Sequence, residues 1–198
     1  MLLLGGESRS PEKPDPNGCW ACRNKVMVTP KKNQGEYEKM CFICDRIEMI
    51  KNGQNPYFVK ELQTGYVVIG DNQHFYGYTL FLYKNHDKTE LFQLEKTEKM
   101  KFLEEMAIVA EAVASAFGAE KMNYELLGMG DAHLHWHLFP RKTGDIENYG
   151  NGGKDPVWWY PMEKMYSDEN RPSEDELKTM KEKLLCELEK ILLERKII

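Results

Sequence analysis

The sequence predicts an α+β domain in which antiparallel strands pack against long amphipathic helices. Three observations carry this. Residues 57–83 form short runs rich in aromatic and β-branched side chains, broken at Thr64-Gly65 and Gly70-Asp71-Asn72. Such runs between turn residues read as strands of a meander. Residues 97–117 place apolar side chains at helical spacing. Ser173 and Glu176 have the spacing of a capping box and precede a second long helical run.

Taken in order, residues 1–40 read as an N-terminal extension. Its first part holds Gly5-Gly6, Pro11, Pro14 and Pro16, and Cys19-Trp20-Ala21-Cys22 follows. The main domain is expected over 41–145. Ile43, Ile47 and Ile50 mark a short helix that stops at Asn52-Gly53. Strands are expected at Tyr57–Leu62, Tyr66–Ile69 and Gly77–Tyr83. The helix Thr97–Phe117 is expected to cover one sheet face with Met100, Leu103, Met106, Ala107, Ala110, Val113, Ala114 and Phe117, and Gly118 ends it. Tyr124–Leu127 and His133–Phe139 are two further strands, the last closed by Pro140. Residues 146–198 read as a C-terminal extension. Its helix runs to about Lys196 with Leu177, Met180, Leu184, Leu188, Ile191 and Leu192 on one face.

Composition excludes several functions. The chain has 198 residues, 41% of them hydrophobic and 11% aromatic, which suits a packed domain and not a disordered chain. Its net charge of −5 argues against non-specific binding to DNA or RNA. A nucleotide remains a suitable ligand, because a few local N–H groups can hold one phosphate chain. No apolar run is long enough to span a membrane. Met1-Leu2-Leu3-Leu4 is too short for the core of a signal peptide, so a cytoplasmic location is expected. Four of the five cysteines lie in two C-x-x-C pairs, which in that compartment suggests metal or reduced thiols before disulfides. Spacing alone favours a four-thiolate site of Cys19, Cys22, Cys41 and Cys44. Cys186 reads as helix packing.

The segment His133-Leu134-His135-Trp136-His137 is the most informative. Residues two apart in a strand share a face, so three imidazoles would project in a row. An imidazole near neutral pH is both a nucleophile and a base. One ring can attack phosphorus while its neighbours donate to phosphate or leaving-group oxygens. Two histidines at this spacing can also clamp a metal ion. Residue types alone leave phosphate and metal chemistry open.

His-Leu-His-Trp-His-Leu-Phe resembles the histidine-triad signature, His-X-His-X-His-X-X with X apolar. The likeness extends over residues 41–142, through Cys41-x-x-Cys44, Tyr66–Ile69, Gly77–Leu82 with Lys84-Asn85-His86, and Asn123–Gly128. The resemblance implies an antiparallel sheet of about five strands with two main helices, as a homodimer. It implies hydrolysis or transfer at the α-phosphate of a nucleotide, such as a dinucleoside polyphosphate or a nucleoside phosphoramidate. His135 is then the nucleophile and forms a covalent nucleotidyl-histidine. His137 contacts phosphate or leaving group, and His133 supports the substrate or binds metal. Ile47, Ile69 and Leu82 are candidates to line the base pocket. A structural zinc on Cys41, Cys44, His86 and His133 is the second metal assignment, and no redox cofactor is implied.

The chain departs from the pattern just ahead of the triad. Members often carry Asn or Gln where this chain has Met129, which cannot donate a hydrogen bond. Asp131 would repel a phosphate if it pointed inward. Arg141 and Lys142 are candidates to supply positive charge, and a solvated strand end is their plainer reading. Trp158-Trp159-Tyr160 reads as a seal against the domain or a partner, with base stacking as the alternative. The competing functions are a metal-dependent hydrolase using the histidine row and a catalytically silent nucleotide-binding regulator.

Overall fold

The computed structural model describes residues 41–146, 157 and 160–197. Cys19, Cys22, Trp158 and Trp159 lie outside the described residues. Helix α1 (Phe42–Lys51) is followed by β1 (Phe58–Glu61), β2 (Gly65–Ile69) and β3 (Thr79–Tyr83). Helix α2 (Lys96–Phe117) leads to β4 (Lys121–Glu125) and β5 (His135–Arg141). The short α3 (Met162–Met165) and the long α4 (Glu174–Glu194) complete the described chain. The five strands form one sheet in the order β1-β2-β3-β5-β4, with every neighbour antiparallel.

Strand alternation sorts the core into two clusters, one on each face. Val67, Ile69, Phe81, Tyr83 and Leu138 meet α2 and α4. Tyr66, Val68, Leu80, Leu82 and Phe139 face the other way, against Ile43 and Ile47 of α1 and against Phe75, Tyr78 and Met165. Helix α4 buries all six apolar residues expected of it, and they join the same cluster as the sheet. Its capping box is formed, with Ser173 and Glu176 satisfying each other's backbone N–H groups.

Helix α2 does not follow its predicted stripe. Met100 is 58% exposed and Ala107 is exposed, whereas Phe102, Ile108, Val109 and Ala112 are buried. The helix lies between the sheet and α4, so two of its faces are covered and a single stripe cannot describe it. Glu105 on this helix is 2% exposed. Its carboxylate accepts from the N–H groups of Gln63 and Thr64 and from the Thr64 hydroxyl, which fixes the β1–β2 turn. At Gly65, beside that turn, an added Cβ would lie 2.5 Å from the Leu82 carbonyl oxygen, so this strand crossing admits no side chain.

Strands β4 and β5 also shift from their expected bounds. The β4–β5 ladder runs from Lys121↔Arg141 to Glu125↔His137, so Leu126 and Leu127 lie past its end. Pro140 lies inside β5 and does not close it. The Arg141 carbonyl accepts from Glu120 N–H on the β4 side, and the Leu134 carbonyl accepts from Tyr83 N–H on the β3 side. Even-numbered residues of β5 therefore face β3. Pro140 falls beyond Thr79, where β3 pairing ends, so its missing N–H costs no ladder bond.

Candidate functional site

His135 lies opposite Leu82 and His137 opposite Leu80, which places both imidazoles on the α1 side of the sheet. His133 precedes the strand and sits in a bend, so the expected row of three divides into a pair and a single ring.

The pair is held by a directional chain of hydrogen bonds. His135 Nδ1 lies 2.6 Å from the His133 carbonyl oxygen. A carbonyl only accepts, so Nδ1 carries the proton and neutral His135 keeps its lone pair on Nε2. His137 Nε2 lies 2.9 Å from that atom. With both rings neutral, His137 Nε2–H donates and His137 Nδ1 is left as an acceptor. The Tyr78 hydroxyl, 2.6 Å away, donates to it.

His135 is 5% exposed and His137 is half-buried. Burial pulls the His137 pKa from 6.5 down to about 3, with His135 contributing in the same direction. Burial also lowers that of His135, and Arg46 adds to the effect, while the His133 carbonyl and Asp131 oppose it. Both rings are therefore neutral near pH 7.

The His137 shift predicts acid sensitivity. Below pH 6.5 the unfolded chain takes up a proton that the folded ring refuses, so stability is complete above 6.5 and falls as pH drops toward about 3. At ~1.36 kcal/mol per pH unit, acidification from pH 6.5 to 5 costs about 2 kcal/mol through this ring. Urea unfolding of wild type and His137→Gln at both pH values checks this. Wild type should lose about 2 kcal/mol more than the variant, and equal losses contradict the prediction.

His133 faces another group. Its Nε2–H donates to the Tyr83 carbonyl at 2.8 Å, which leaves the Nδ1 lone pair directed at two cysteines. Nδ1 lies 3.7 Å from Cys41 Sγ and 3.5 Å from Cys44 Sγ, and Cys44 Sγ lies 3.1 Å from His86 Nδ1. The four donor atoms lie within 4.8 Å of one another and could hold a metal ion. Two thiols and two imidazoles suit zinc. Metal–ligand lengths of ~2.3 Å to sulfur and ~2.0 Å to nitrogen give tetrahedral S···N edges of about 3.5 Å, close to the separations seen. Burial, with His86 and His135 adding to it, lowers the His133 pKa to about 4, which keeps the ring in its ligating form. The Cys41 N-terminal cap of α1, reinforced by Asp131 Oδ1 accepting from Phe42 N–H at 3.0 Å, brings both cysteines to the end of β3. Asp131 is thus engaged at a helix start, and Met129 is fully exposed.

Of the residues expected to bind substrate, Ile47 and Leu82 lie in the core cluster on the histidine face. Ile69 does not: it is in the α2–α4 cluster on the opposite face. Arg141 shares the face of His135 and His137 by strand parity. It makes a two-point ion pair with Asp145, at 2.7 and 2.8 Å, and lies over the Phe75 ring. Its charge is therefore balanced locally, four residues along the strand from His137. Tyr160 stacks on His74, which fits a seal against the domain.

Three neighbours of the histidine pair were not expected. Tyr78 continues the parity of Leu80 and Leu82, so its face was readable from the alternation. Arg46 is three residues after Ile43 and four before Ile50, a charged residue at a core-facing helix position. It pairs through both guanidinium nitrogens with Asp71, just past β2. Tyr166, at the end of α3, hydrogen-bonds Tyr78.

No protein-family model and no curated protein sequence matches the chain. Solved structures do. A histidine triad protein from Sinorhizobium meliloti 1021 is 22% identical with a TM-score of 0.55, covering 66% of this chain and 87% of that one. A hypothetical histidine triad nucleotide-binding protein from Sulfolobus tokodaii strain7 is 16% identical with a TM-score of 0.56, covering 75% and 94%. A zinc-bound histidine triad family protein from Mycobacterium smegmatis is 17% identical with a TM-score of 0.51, covering 78% and 96%. The fold of this chain is that of histidine triad proteins. Among the described residues, no helix is long and apolar enough to cross a membrane.

Proposed function

We propose that the protein is a nucleotide hydrolase or nucleotidyl transferase that attacks the α-phosphate of a dinucleoside polyphosphate or nucleoside phosphoramidate through His135. The observation that carries this reading is the tautomer of His135. Its Nδ1 proton is held by the His133 carbonyl, which leaves the Nε2 lone pair as the nucleophile. The fold is in keeping with it, since one similar structure is described as nucleotide-binding.

In the first step Nε2 forms a bond to phosphorus, and the bond to the leaving group breaks with its electron pair. The ring gains positive charge, which the His133 carbonyl stabilises through Nδ1–H. In the second step water, or another acceptor in a transfer, attacks phosphorus. The P–N bond breaks and its pair returns to Nε2, and the water proton passes to solvent. His137 Nε2–H donates to His135 Nε2 at rest, so that hydrogen bond is given up as phosphorus approaches, and the N–H donates to a phosphate or leaving-group oxygen in its place. Arg46, whose charge is felt at His135, is the cation we assign to the phosphate chain, although it is paired with Asp71 as Arg141 is with Asp145. Ile47 and Leu82 are the apolar residues offered to the base.

Zinc on Cys41, Cys44, His86 and His133 belongs to the same proposal. Four protein ligands leave no open position, so its role is structural. A zinc-bound protein among the similar structures is in keeping with this. The homodimer is proposed through the outer edge of β4, where Tyr124 is 49% exposed and the strand has a neighbour on one side. Sedimentation velocity should show twice the chain mass, and a monomer at micromolar concentration refutes it. Turnover itself is tested with a panel of dinucleoside polyphosphates and adenosine phosphoramidates. Release of a nucleoside monophosphate supports the reading, and binding without turnover favours the silent regulator.

A further inference from the structure

We propose that Tyr78 is a positioning residue: it fixes the His137 tautomer so that the Nε2–H is the one presented to the leaving group, with Tyr166 behind it. The inference rests on the nucleotidyl-histidine reading above and gives His137 its direction.

The geometry is specific. His137 is bonded at both ring nitrogens, to Tyr78 at Nδ1 and to His135 at Nε2. The chain has one consistent direction. The His133 carbonyl forces the proton of His135 onto Nδ1, so two lone pairs would face each other at 2.9 Å unless His137 donated from Nε2. His137 Nδ1 must then accept, and the single Tyr78 proton goes to it. The Tyr78 hydroxyl also meets Tyr166.

Tyr78 is built to hold this orientation. Its ring is 5% exposed and stacks at 2° to His137 and at 4° to Phe139, with 4.3 Å between the Tyr78 and Phe139 centroids. Its carbonyl accepts from Gly70 N–H at 2.8 Å and from Gln73 Nε2 at 2.9 Å. A Cβ at Gly70 would lie 2.2 Å from the ring, so glycine there leaves the space Tyr78 fills. Burial pushes the Tyr78 hydroxyl well above its ordinary value, so its proton stays in place. Tyr78 therefore acts as a fixed donor and transfers no proton. His137 then serves as a hydrogen-bond donor to the charge growing on the departing oxygen.

The test is Tyr78→Phe, which keeps the stacked ring and removes the hydroxyl. Side-chain nitrogen NMR of His137 is read in a His135→Ala background, which removes the other constraint on that ring: it should show the Nε2–H form with Tyr78 present and a mixture with the Nδ1–H form once Tyr78→Phe is added. An unchanged tautomer overturns the proposal, whatever the protein's activity. The kinetic arm compares two aryl esters of AMP. A donor aimed at the leaving oxygen helps basic phenolate more than weakly basic p-nitrophenolate. Loss of one such hydrogen bond should lower kcat about tenfold for the phenyl ester and far less for the nitrophenyl ester, with KM unchanged. Equal losses mark a merely structural role and overturn the proposal. If Tyr78→Phe does not fold, the hydroxyl proton of Tyr78 in the wild-type protein decides the matter: an NMR coupling or cross-peak that places it on the His137 Nδ1 bond supports the proposal, and a proton donated to Tyr166 instead overturns it. If wild type turns over neither ester, the nucleotide reading fails, while the NMR arm still judges Tyr78.

Discussion

Replacing His135 with Asn should lower turnover by about four orders of magnitude or more, the scale on which loss of an attacking group acts. The substitution is close to isosteric for the held half of the ring. An Asn amide can donate to the His133 carbonyl as Nδ1–H does now, and Leu82 opposite and the buried setting keep their shape. Only the Nε2 lone pair is lost. Nucleotide affinity should therefore change by no more than severalfold, measured by calorimetry with AMP. Wild-type turnover in His135→Asn ends the covalent account. A chelator separates the competing metal mechanism: catalysis by a metal on the histidine row stops at once, whereas His135 chemistry persists while the fold holds.

The second large effect is on stability. Cys44→Ser should abolish binding of one zinc per chain and destabilise the protein by about 4 kcal/mol, the range reserved for losing a metal or a comparable anchor. For a chain of this size that corresponds to roughly 10 °C in Tm. Cys44 Sγ meets both His86 and His133, so one substitution removes the ligand that joins α1, the end of β3 and the entrance to β5. Elemental analysis with thermal unfolding checks this. Cys19→Ser should keep its zinc. Zinc lost in Cys19→Ser favours the four-thiolate alternative, and zinc retained in Cys44→Ser contradicts both assignments.

Much of this was legible before the structure, where a period or a local rule sets the outcome. The α4 stripe was readable because one face of that helix is covered and its capping box is local in sequence. That His135 and His137 share a side followed from a period of two. The features that were not legible depend on partners distant in sequence. The α2 stripe failed because α4 covers a second face of that helix, which only the tertiary arrangement reveals. The face that Ile69 takes was not legible, because the parity of β2 relative to β5 is set by register through β3. His133 left the strand to meet Cys41, Cys44 and His86, two of them about ninety residues upstream. The ion pair of Arg141 joins it to Asp145, only four residues on. A cation four residues from a carboxylate has a local use that strand reasoning overlooks.

The most direct measurement is intact-protein mass spectrometry after rapid acid-free quenching of the protein mixed with a dinucleoside polyphosphate or an adenosine phosphoramidate. The account predicts a transient gain equal to one nucleoside monophosphate less one water, mapped by fragmentation to His135 and absent from His135→Asn. Turnover without that adduct at any time point, or an adduct mapped to another residue, contradicts it.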